Sequence, residues 1–477
     1  MTTSTATPGR VVPALDGSLR PRGLRRPGPV PRWWRDATAA LGWAVLLAVV
    51  ALWVAGGGVQ ELSSATGALT STGRLAGLVA SALLLLQVFL MARVPWVEQG
   101  WGQDALARTH RLVGFTSFTL MLAHLALITL GYAAASPRGL WGTTVDLVVD
   151  YPGMLLAVAG TAALVMVVVT SVRRARRRLR YESWHLIHLY GYLGAGLTLP
   201  HQLWTGADFL ASPTATVFWW GLYAVCAGAV LVFRLGLPAW RSLASPIRVL
   251  EVRADGPGLT TVTVGGRRLS RIPVRAGQFL QWRFLDGPGW SRAHPYSVSA
   301  APDGRTLRFT AAHVGDGSAR LATLRPGTRV LVEGPYGRLH EGVRSRRKVL
   351  LMGSGIGITP LRALLEDLEQ SPGDVTVVHR VHARDDAVLG DELAALAAAR
   401  GARYLVVEGP RVRERPSWLP EQAGHLTDVE ALRELVPGVA DHDVYVCGAD
   451  GWMTAVRDAA LAAGVPDGAV HLERFSY

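Results

Sequence analysis

The chain has 477 residues, 49% of them hydrophobic, a formal net charge of +13 and only two cysteines. Long apolar runs fill the first half and short alternating patterns the second, which predicts a membrane half followed by a soluble α/β half. Two cysteines exclude a disulfide framework and a four-thiolate iron–sulfur cluster. The positive charge is concentrated in two arginine clusters, 20–35 and 173–180, which flank apolar runs. This placement marks cytoplasmic loops and argues against nucleic-acid binding.

Residues 1–37 are rich in arginine and proline and are predicted to form a disordered cytoplasmic tail. The next region, 38–238, holds six runs that are apolar enough to cross a bilayer core about 30 Å thick. The predicted spans are 38–56, 73–93, 110–131, 152–171, 184–204 and 216–236. With both arginine clusters inside, an even number of spans predicts a multi-pass protein of the plasma (inner) membrane whose two termini are cytoplasmic.

Four histidines in the third and fifth spans are the main candidate ligands: His110, His124, His188 and His201. Ionisable side chains are costly at membrane depth, and each pair covers roughly 20 Å of helix, which places one histidine near each face. Because both spans run in the same direction, the spacing predicts two stacked bis-histidine haems. His110 and His188 would bind the inner haem, and His124 and His201 the outer. Hydrogen bonding between helices is the alternative for any single histidine, and His185 is an alternative inner ligand.

Two arginines of the second span are candidate partners for haem propionates. Arg74 lies near the outer end, where a basic residue is unusual, and Arg93 lies at the inner end. An ordinary positive-inside anchor is an equal alternative for Arg93.

Residues 243–341 have the short strands and Gly/Pro turns of a small antiparallel β-barrel. Its first candidate motif is His294-Pro295-Tyr296-Ser297, in which an aromatic ring beside a hydroxyl could cover an isoalloxazine ring and hydrogen-bond its N5 edge. The second, Gly315-Asp316-Gly317-Ser318, could offer backbone N–H groups to a pyrophosphate. An ordinary turn is the alternative for either motif alone.

Residues 346–477 follow a βαβ pattern that predicts an α/β nucleotide-binding domain. The strand 348–352 leads into a glycine-rich loop and a helix, as in sites where phosphate approaches the backbone. This loop reads Gly353-Ser354-Gly355-Ile356-Gly357-Ile358-Thr359-Pro360.

A second loop, Cys447 to Met453, follows the strand 444–446 and is expected to face the nicotinamide through Cys447 and Gly448. A buried small residue is the alternative role for Cys447. Arg380 and Arg384 could bind a ribose 2′-phosphate, which favours NADPH over NADH, with ordinary surface arginines as the alternative.

In combination, these motifs resemble the ferric reductase / NADPH oxidase superfamily from about residue 38 to 477. Its members join a six-helix, two-haem transmembrane domain to a cytosolic ferredoxin-reductase-like module with FAD and NAD(P)H lobes. The resemblance therefore implies two haem b groups, FAD and NAD(P)H as cofactors. It also implies Arg292 beside the flavin motif, catalytic roles for Ser297 and Cys447, and Phe475 as the aromatic ring that stacks on the flavin. Tyr477 is the alternative stacking ring.

The implied activity is hydride transfer from NAD(P)H to FAD, then single-electron transfer through the haems to a small-molecule acceptor outside the membrane. A ferric chelate and O2 are the leading acceptors, and a quinone or an extracytoplasmic protein is the alternative. A non-enzymatic haem-binding or sensory membrane protein is a remote alternative. The sequence leaves the oligomeric state open.

Overall fold

The computed structural model describes residues 30–31, 33–176, 178–179, 181–210, 212–287 and 289–474. They form two compact units whose boundary in the chain falls between Leu237 and Pro238.

The first unit is built from helices throughout its described residues. They are α1 (Trp33–Ala55), α2 (Ala65–Leu90), α3 (Pro95–Trp101), α4 (Gln103–Ala134), α5 (Gly139–Val149), α6 (Met154–Ser171), α7 (Arg173–Arg176), α8 (Tyr181–Trp204), α9 (Ala207–Leu210) and α10 (Pro213–Ala229). A π-helical segment, Val230–Gly236, continues α10 without a break.

Five helices are long and apolar enough to cross a membrane: α1, α2, α4, α6 and the continuous helix from Pro213 to Ala244. The remaining predicted span corresponds to α8, whose 24 residues also suffice in length for a bilayer core of about 30 Å. The histidines of α8 make it less apolar than its neighbours. The fold is therefore a membrane helical bundle, with one short apolar helix, α5, that the sequence did not predict.

The bundle is organised around two tightly packed helix pairs, α2 with α4 and α6 with α8. Glycines allow the close approach, as is common in membranes: a Cβ at Gly160 of α6 would lie 2.9 Å from the Gly194 carbonyl oxygen of α8. The two histidine-bearing helices, α4 and α8, are thus each packed on a different neighbour and make little backbone contact with one another.

The second unit begins with α11 (Leu237–Ala244), whose first residue, Leu237, still belongs to the first unit. A six-stranded antiparallel sheet follows. The strands are β1 (Ile247–Ala254), β2 (Leu259–Gly266), β3 (Phe279–Phe284), β4 (His294–Ser297), β5 (Thr306–Ala312) and β6 (Arg329–Tyr336), with the short helix α12 (Asp316–Ala319) before β6. The order is β4-β3-β6-β1-β2-β5. A bridge between Val298 and Phe309 joins the two edges, which closes the sheet into the predicted barrel around buried Trp282 and Phe309.

A five-stranded parallel sheet follows, in the order β11-β10-β7-β8-β9. Its strands are β7 (Lys348–Ser354), β8 (Val375–Val381), β9 (Arg403–Glu408), β10 (His442–Cys447) and β11 (Val470–Glu473), and its main helices are α13 (Ile358–Asp367), α14 (Gly390–Ala399), α15 (Asp428–Leu435) and α16 (Asp450–Ala462). The chain extends from β7 to one side and then returns to the other through β10. Ligands bind at such a reversal, at the carboxyl ends of the strands.

Candidate functional site

The four candidate ligands meet in the pairs that the spacing predicts. The ring centres of His110 on α4 and His188 on α8 are 5.9 Å apart, with their planes at 65°. His201 of α8 lies near His124 of α4. The pairs therefore lie at two levels along the same two helices.

Every one of these rings uses its Nδ1 in a hydrogen bond within the bundle. The partner is the carbonyl of Gln87 for His110 (3.1 Å), of Gly73 for His124 (2.8 Å) and of Thr198 for His201 (2.6 Å), and the hydroxyl of Ser171 for His188 (3.4 Å). Carbonyl oxygens only accept, so the first three rings carry their proton on Nδ1. This leaves Nε2 as the nitrogen that can bind a metal, the arrangement usual for ligating histidines.

The distance within the inner pair fits two axial ligands of one iron. Two nitrogens at about 2 Å from a shared ion place the ring centres about 6 Å apart. No group of three or more His, Cys, Asp or Glu side chains suited to a metal ion occurs among the described residues. Two imidazoles are the protein ligands that a bis-histidine haem requires, because the porphyrin supplies the other four.

The two arginines proposed as propionate partners have carboxylates of the chain beside them. Arg74 contacts Glu61 at 2.8 Å and Asp208 at 3.4 Å. The sequence did not indicate either partner, because both acids lie in connections outside the spans. Burial raises the pKa of Asp208, although Arg74 opposes the shift.

Arg93 has left-handed backbone geometry (φ 64°) at the end of α2. Its guanidinium lies 2.9 Å from Gln103 and 3.7 Å from the buried carboxylate of Glu98. An ion pair with little exposure anchors this connection, and it supports the structural alternative for Arg93 at least as well as a propionate contact.

The flavin motif forms β4, and its hydroxyl is in the state expected of a ligand-binding group. Ser297 is buried, and its Oγ has no hydrogen-bond partner among the described residues. A buried hydroxyl without a partner costs about 1–3 kcal/mol, so a ligand acceptor or donor at this position would relieve that cost. Tyr296 stacks on Phe309, with ring centres 4.9 Å apart, which fixes the aromatic wall beside the hydroxyl. Pro295 lies between His294 and Tyr296 in the same strand.

The second flavin motif lies against the first. A Cβ at Gly317 would be 2.5 Å from the His294 ring, so only glycine allows this approach. The Ser318 hydroxyl accepts hydrogen bonds from the N–H groups of Val314 and Gly315. Ser318 therefore shapes the loop itself, and the later amides, those of Asp316 and Gly317, are the ones to consider for a pyrophosphate. Arg292 lies in the turn before β4, where its backbone N–H donates a hydrogen bond to the Gly289 carbonyl.

The two nucleotide loops are in direct contact at the carboxyl ends of β7 and β10. A Cβ at Gly357 would lie 2.3 Å from the Cys447 carbonyl oxygen, and one at Gly448 would lie 2.9 Å from the Cβ of Ser354. Cys447 is fully buried, which fits the alternative role of a buried small residue, whereas Gly448 is partly exposed.

The glycine-rich loop leads directly into α13. Gly355 has a positive φ of 54°, while Gly353 lies under Ile358. Thr359 donates its hydroxyl hydrogen to the Ile356 carbonyl, and Pro360 occupies the first turn, where no N–H is needed. The N-terminal end of α13 thus has the strand–glycine loop–helix arrangement that binds phosphate in other proteins.

The two arginines proposed for a 2′-phosphate differ in environment. Arg380 is buried, and its guanidinium donates to the carbonyls of Val381, Val407 and Pro410. Burial lowers its pKa. Arg384 is exposed, and its backbone N–H bonds to the Glu408 carboxylate. Arg384 is consequently the better placed of the two to reach a ligand. Phe475 and Tyr477 lie outside the described residues, so the choice of stacking ring stays a prediction.

Comparisons with known families and proteins cover both halves. The family model "Ferric reductase like transmembrane component" matches residues 76–199, from α2 into α8, and includes three of the four paired histidines. The model "Oxidoreductase NAD-binding domain" matches residues 351–458, from β7 into α16.

A ferredoxin–NADP reductase B of Sorangium cellulosum is 31% identical over 253 residues, which is 51% of this chain and 97% of that protein. A flavohemoprotein of Vibrio cholerae is 27% identical over 201 residues, 40% of this chain and 48% of that protein. Among solved structures, the flavohem-like FAD/NAD-binding domain of a nitric oxide dioxygenase from Vibrio cholerae is 24% identical and covers 48% of this chain and 98% of that one, with a TM-score of 0.40.

Proposed function

Because the chain belongs to the ferredoxin–NADP reductase family and carries a ferric reductase-like transmembrane domain ahead of that module, we propose that this transmembrane oxidoreductase moves electrons from cytoplasmic NAD(P)H across the membrane. The soluble half would hold FAD, which supplies hydride acceptance from NAD(P)H, and the four histidines would hold two b-type haems, which supply single-electron transfer to an extracytoplasmic acceptor. The paired imidazoles of α4 and α8 are the observation that carries the proposal.

Each part of the chain has a distinct task in this activity. The α13 N-terminal loop and Gly448 bind and orient the nucleotide. Ser297 supplies a hydrogen bond at the reactive edge of the flavin, and Tyr296 covers its ring. The four histidines would hold the haem irons through Nε2, while the hydrogen bonds at Nδ1 fix the ring planes. The protein's contribution is therefore positioning and tuning.

A spectrum of the full-length protein tests the proposal. We expect the chain, purified in detergent from cells supplied with a haem precursor, to contain two haems and one FAD. Anaerobic addition of NADPH should reduce both haems rapidly. A preparation without Soret absorbance would overturn the proposal, and haems that NADPH leaves oxidised would favour the non-enzymatic alternative.

The charge of the predicted outer face bears on the acceptor. The connections expected outside, with the adjoining end of α2, hold four acidic and two basic residues: Glu61, Asp146, Asp150, Asp208, Arg74 and Arg138. Both arginines are paired, Arg138 with Asp146 at 2.6 Å. A net negative face repels an anionic ferric chelate and leaves neutral O2 unaffected, which favours O2 and superoxide formation.

The two acceptors are distinguished by their response to oxygen. With O2 as the acceptor, NADPH-driven cytochrome c reduction should be sensitive to superoxide dismutase, resistant to iron chelators and absent under anaerobic conditions. Reduction of a ferric chelate that persists without oxygen would instead select a ferric reductase. A reaction that needs added quinone or an extracytoplasmic protein would select the remaining alternative.

A further inference from the structure

His188 differs from the other three candidate ligands in the group that faces its Nδ1. The other rings bond to backbone carbonyls at 2.6–3.1 Å, whereas His188 faces the hydroxyl of Ser171, at the end of α6, at 3.4 Å. This distance exceeds the 2.7–3.2 Å range of ordinary N–H···O bonds, about 2.9 Å at its most frequent. The inner pair is therefore supported unequally, by a bond of ordinary length on His110 and a longer, weaker one on His188.

The weakness has a local cause, since the same hydroxyl oxygen has a second donor. The indole Nε1–H of Trp184 donates to Ser171 Oγ at 3.3 Å. When Nε2 of His188 binds iron, its Nδ1 carries a proton, so both N–H groups point at one oxygen. An oxygen that accepts two hydrogen bonds binds each of them less strongly than it would bind one alone.

Two contacts fix the position of the Trp184 ring, one with His188 and one with Arg176 in the loop before α8. Its ring stacks on the His188 ring, with centres 4.9 Å apart and planes at 30°. The guanidinium of Arg176, in the predicted cytoplasmic loop, lies over the same indole at 4.6 Å from the ring centre. Cation–π contacts of this kind contribute about 0.5–1 kcal/mol or more. The indole is held where it competes for Ser171.

We propose that Ser171 and Trp184 are positioning residues that together set the hydrogen bond on His188 and, through it, the reduction potential of the inner haem. The inference rests on the proposed function, because it requires iron on Nε2. A stronger acceptor at Nδ1 makes an imidazole a better electron donor, which stabilises ferric iron and lowers the potential. Second-shell hydrogen bonding is one of the few means by which a protein tunes a haem.

The proposal predicts opposite effects for two substitutions. Ser171→Ala removes the acceptor, weakens donation by His188 and should raise the inner-haem potential. Trp184→Phe keeps an aromatic ring against His188 but removes the competing N–H, so that Ser171 bonds His188 more strongly and the potential should fall. Ser171→Thr keeps the hydroxyl, so the inner-haem potential should stay at the value of the parent protein. A purely structural role would move both variants in the same direction or cause loss of haem.

Redox titration of the full-length protein, followed at the haem α-band, measures these shifts without turnover. Matched controls are Thr170→Ala, whose hydroxyl bonds within its own helix to the Met166 carbonyl, and Trp220→Phe, an exposed indole of α10. Electron paramagnetic resonance of the oxidised protein adds a second readout, because the low-spin ferric signal depends on the angle between the two imidazole planes.

The outcomes separate this inference from the proposed function. The inference is supported if both haems are present and only one of the two haem potentials shifts, upward in Ser171→Ala and downward in Trp184→Phe. If both haems are present and Ser171→Ala and Trp184→Phe titrate like their controls, the inference is wrong while the transmembrane activity stands. A parent protein without haem would instead remove the proposed function itself.

Discussion

The two halves of the molecule place their chemistry on different kinds of atom. In the membrane half, the candidate groups are side chains spaced along helices, and each imidazole has its Nδ1 in a hydrogen bond. In the soluble half, the candidate groups are mostly backbone amides at the ends of strands, together with one buried hydroxyl, Ser297. A buried polar atom is costly in lipid, so the spacing of histidines alone carries information there. A glycine in a loop of the soluble half indicates a binding site only when the segment packed against it is also known.

Removal of one ligand is the strongest test of the membrane half. His124→Ala should lower the haem content from about two per chain to about one and abolish transmembrane electron flow. His201→Ala should give the same spectrum, since the two rings are proposed to bind one haem. Haem content is measured by the pyridine haemochrome method. His382→Ala, at an exposed position after β8, is the control and should keep both haems, and retention of both in His124→Ala would contradict the assignment.

The histidine pairs could be predicted because a helix fixes the rise per residue. Residues 110 and 124 are necessarily at different depths of the bilayer, whatever the helices pack against. The groups that support these rings could not be predicted in the same way. Ser171, on α6, reaches His188 only because α6 packs against α8, and no periodicity in the sequence encodes that contact. The carboxylate partners of Arg74 were missed for the same reason, although an acid in a short outer connection is a usable signal.

In the soluble half, the largest effect is expected where the two nucleotide loops touch. Gly357 has ordinary helical backbone angles, so Gly357→Ala introduces only the clash with the Cys447 carbonyl. A displacement of about 1 Å can cost roughly 100-fold in rate, and we expect a loss of that order in flavin reduction by NADPH. Stopped-flow spectroscopy measures it. Gly468→Ala, with open space around its Cβ position, should react like the parent, and an unaffected Gly357→Ala would show that the loops do not bind nucleotide together.

Ser297 should show opposite effects on stability and activity. Its Oγ is buried without a partner in the described structure, so Ser297→Ala should leave the flavin-free chain at least as stable as the parent. Loss of one hydrogen bond to the flavin should nevertheless slow flavin reduction about 10-fold. Thermal unfolding of FAD-depleted protein and stopped-flow kinetics measure the two quantities.

The neighbouring Ser299 provides the contrast. It accepts hydrogen bonds from Thr310 (3.0 Å) and Arg308 (3.2 Å), so Ser299→Ala should destabilise the barrel. If Ser297→Ala were the more destabilising of the two, the interpretation of Ser297 as a ligand-binding group would be wrong.

The nucleotide loops could be predicted from strand, glycine and helix in succession, because that order has one common structural meaning. The roles of Arg380 and Arg384 could not be separated in the sequence. Arg380 is the sixth residue of β8 and is enclosed by carbonyls, whereas Arg384 follows the strand and is exposed. Two arginines only four positions apart therefore differ in role: Arg380 is a structural cation and Arg384 a candidate phosphate ligand.

A smaller effect is expected on the choice of nucleotide. Arg384→Ala should raise the KM for NADPH about 5-fold and leave that for NADH unchanged, because an exposed charge pair is screened and contributes roughly 1 kcal/mol at most. Steady-state kinetics with both donors measures the change. Arg380→Ala should instead lower the unfolding temperature without altering the preference. An equal rise for both nucleotides in Arg384→Ala would argue against 2′-phosphate recognition.

The smallest effect on activity is expected for a pH-dependent change in stability, in the sheet that carries the glycine-rich loop. His379 of β8 is fully buried and its Nδ1 lies 3.0 Å from the Tyr404 hydroxyl. Burial lowers the pKa of His379 from 6.5 to about 4, although the Gly355 backbone opposes the shift. Between pH 6.5 and about pH 4, His379 is protonated in the unfolded chain but not in the folded one. Its contribution to the free energy of unfolding is therefore fully present above pH 6.5 and falls as the pH is lowered, by about 1 kcal/mol per pH unit.

His379→Gln should remove this part of the pH dependence while keeping a hydrogen bond to Tyr404. Amide hydrogen exchange in β7, β8 and β9 between pH 7 and pH 4, about the window in which the two states differ in bound protons, measures local stability in a chain that unfolds in more than one step. His340 and His442, whose pKa values burial also lowers, remain in the variant, so the informative quantity is the difference between the two curves. His382→Gln, at an exposed position after β8, is the matched control. Parallel curves for His379→Gln and the parent would show that the folded sheet does not lower the pKa of His379.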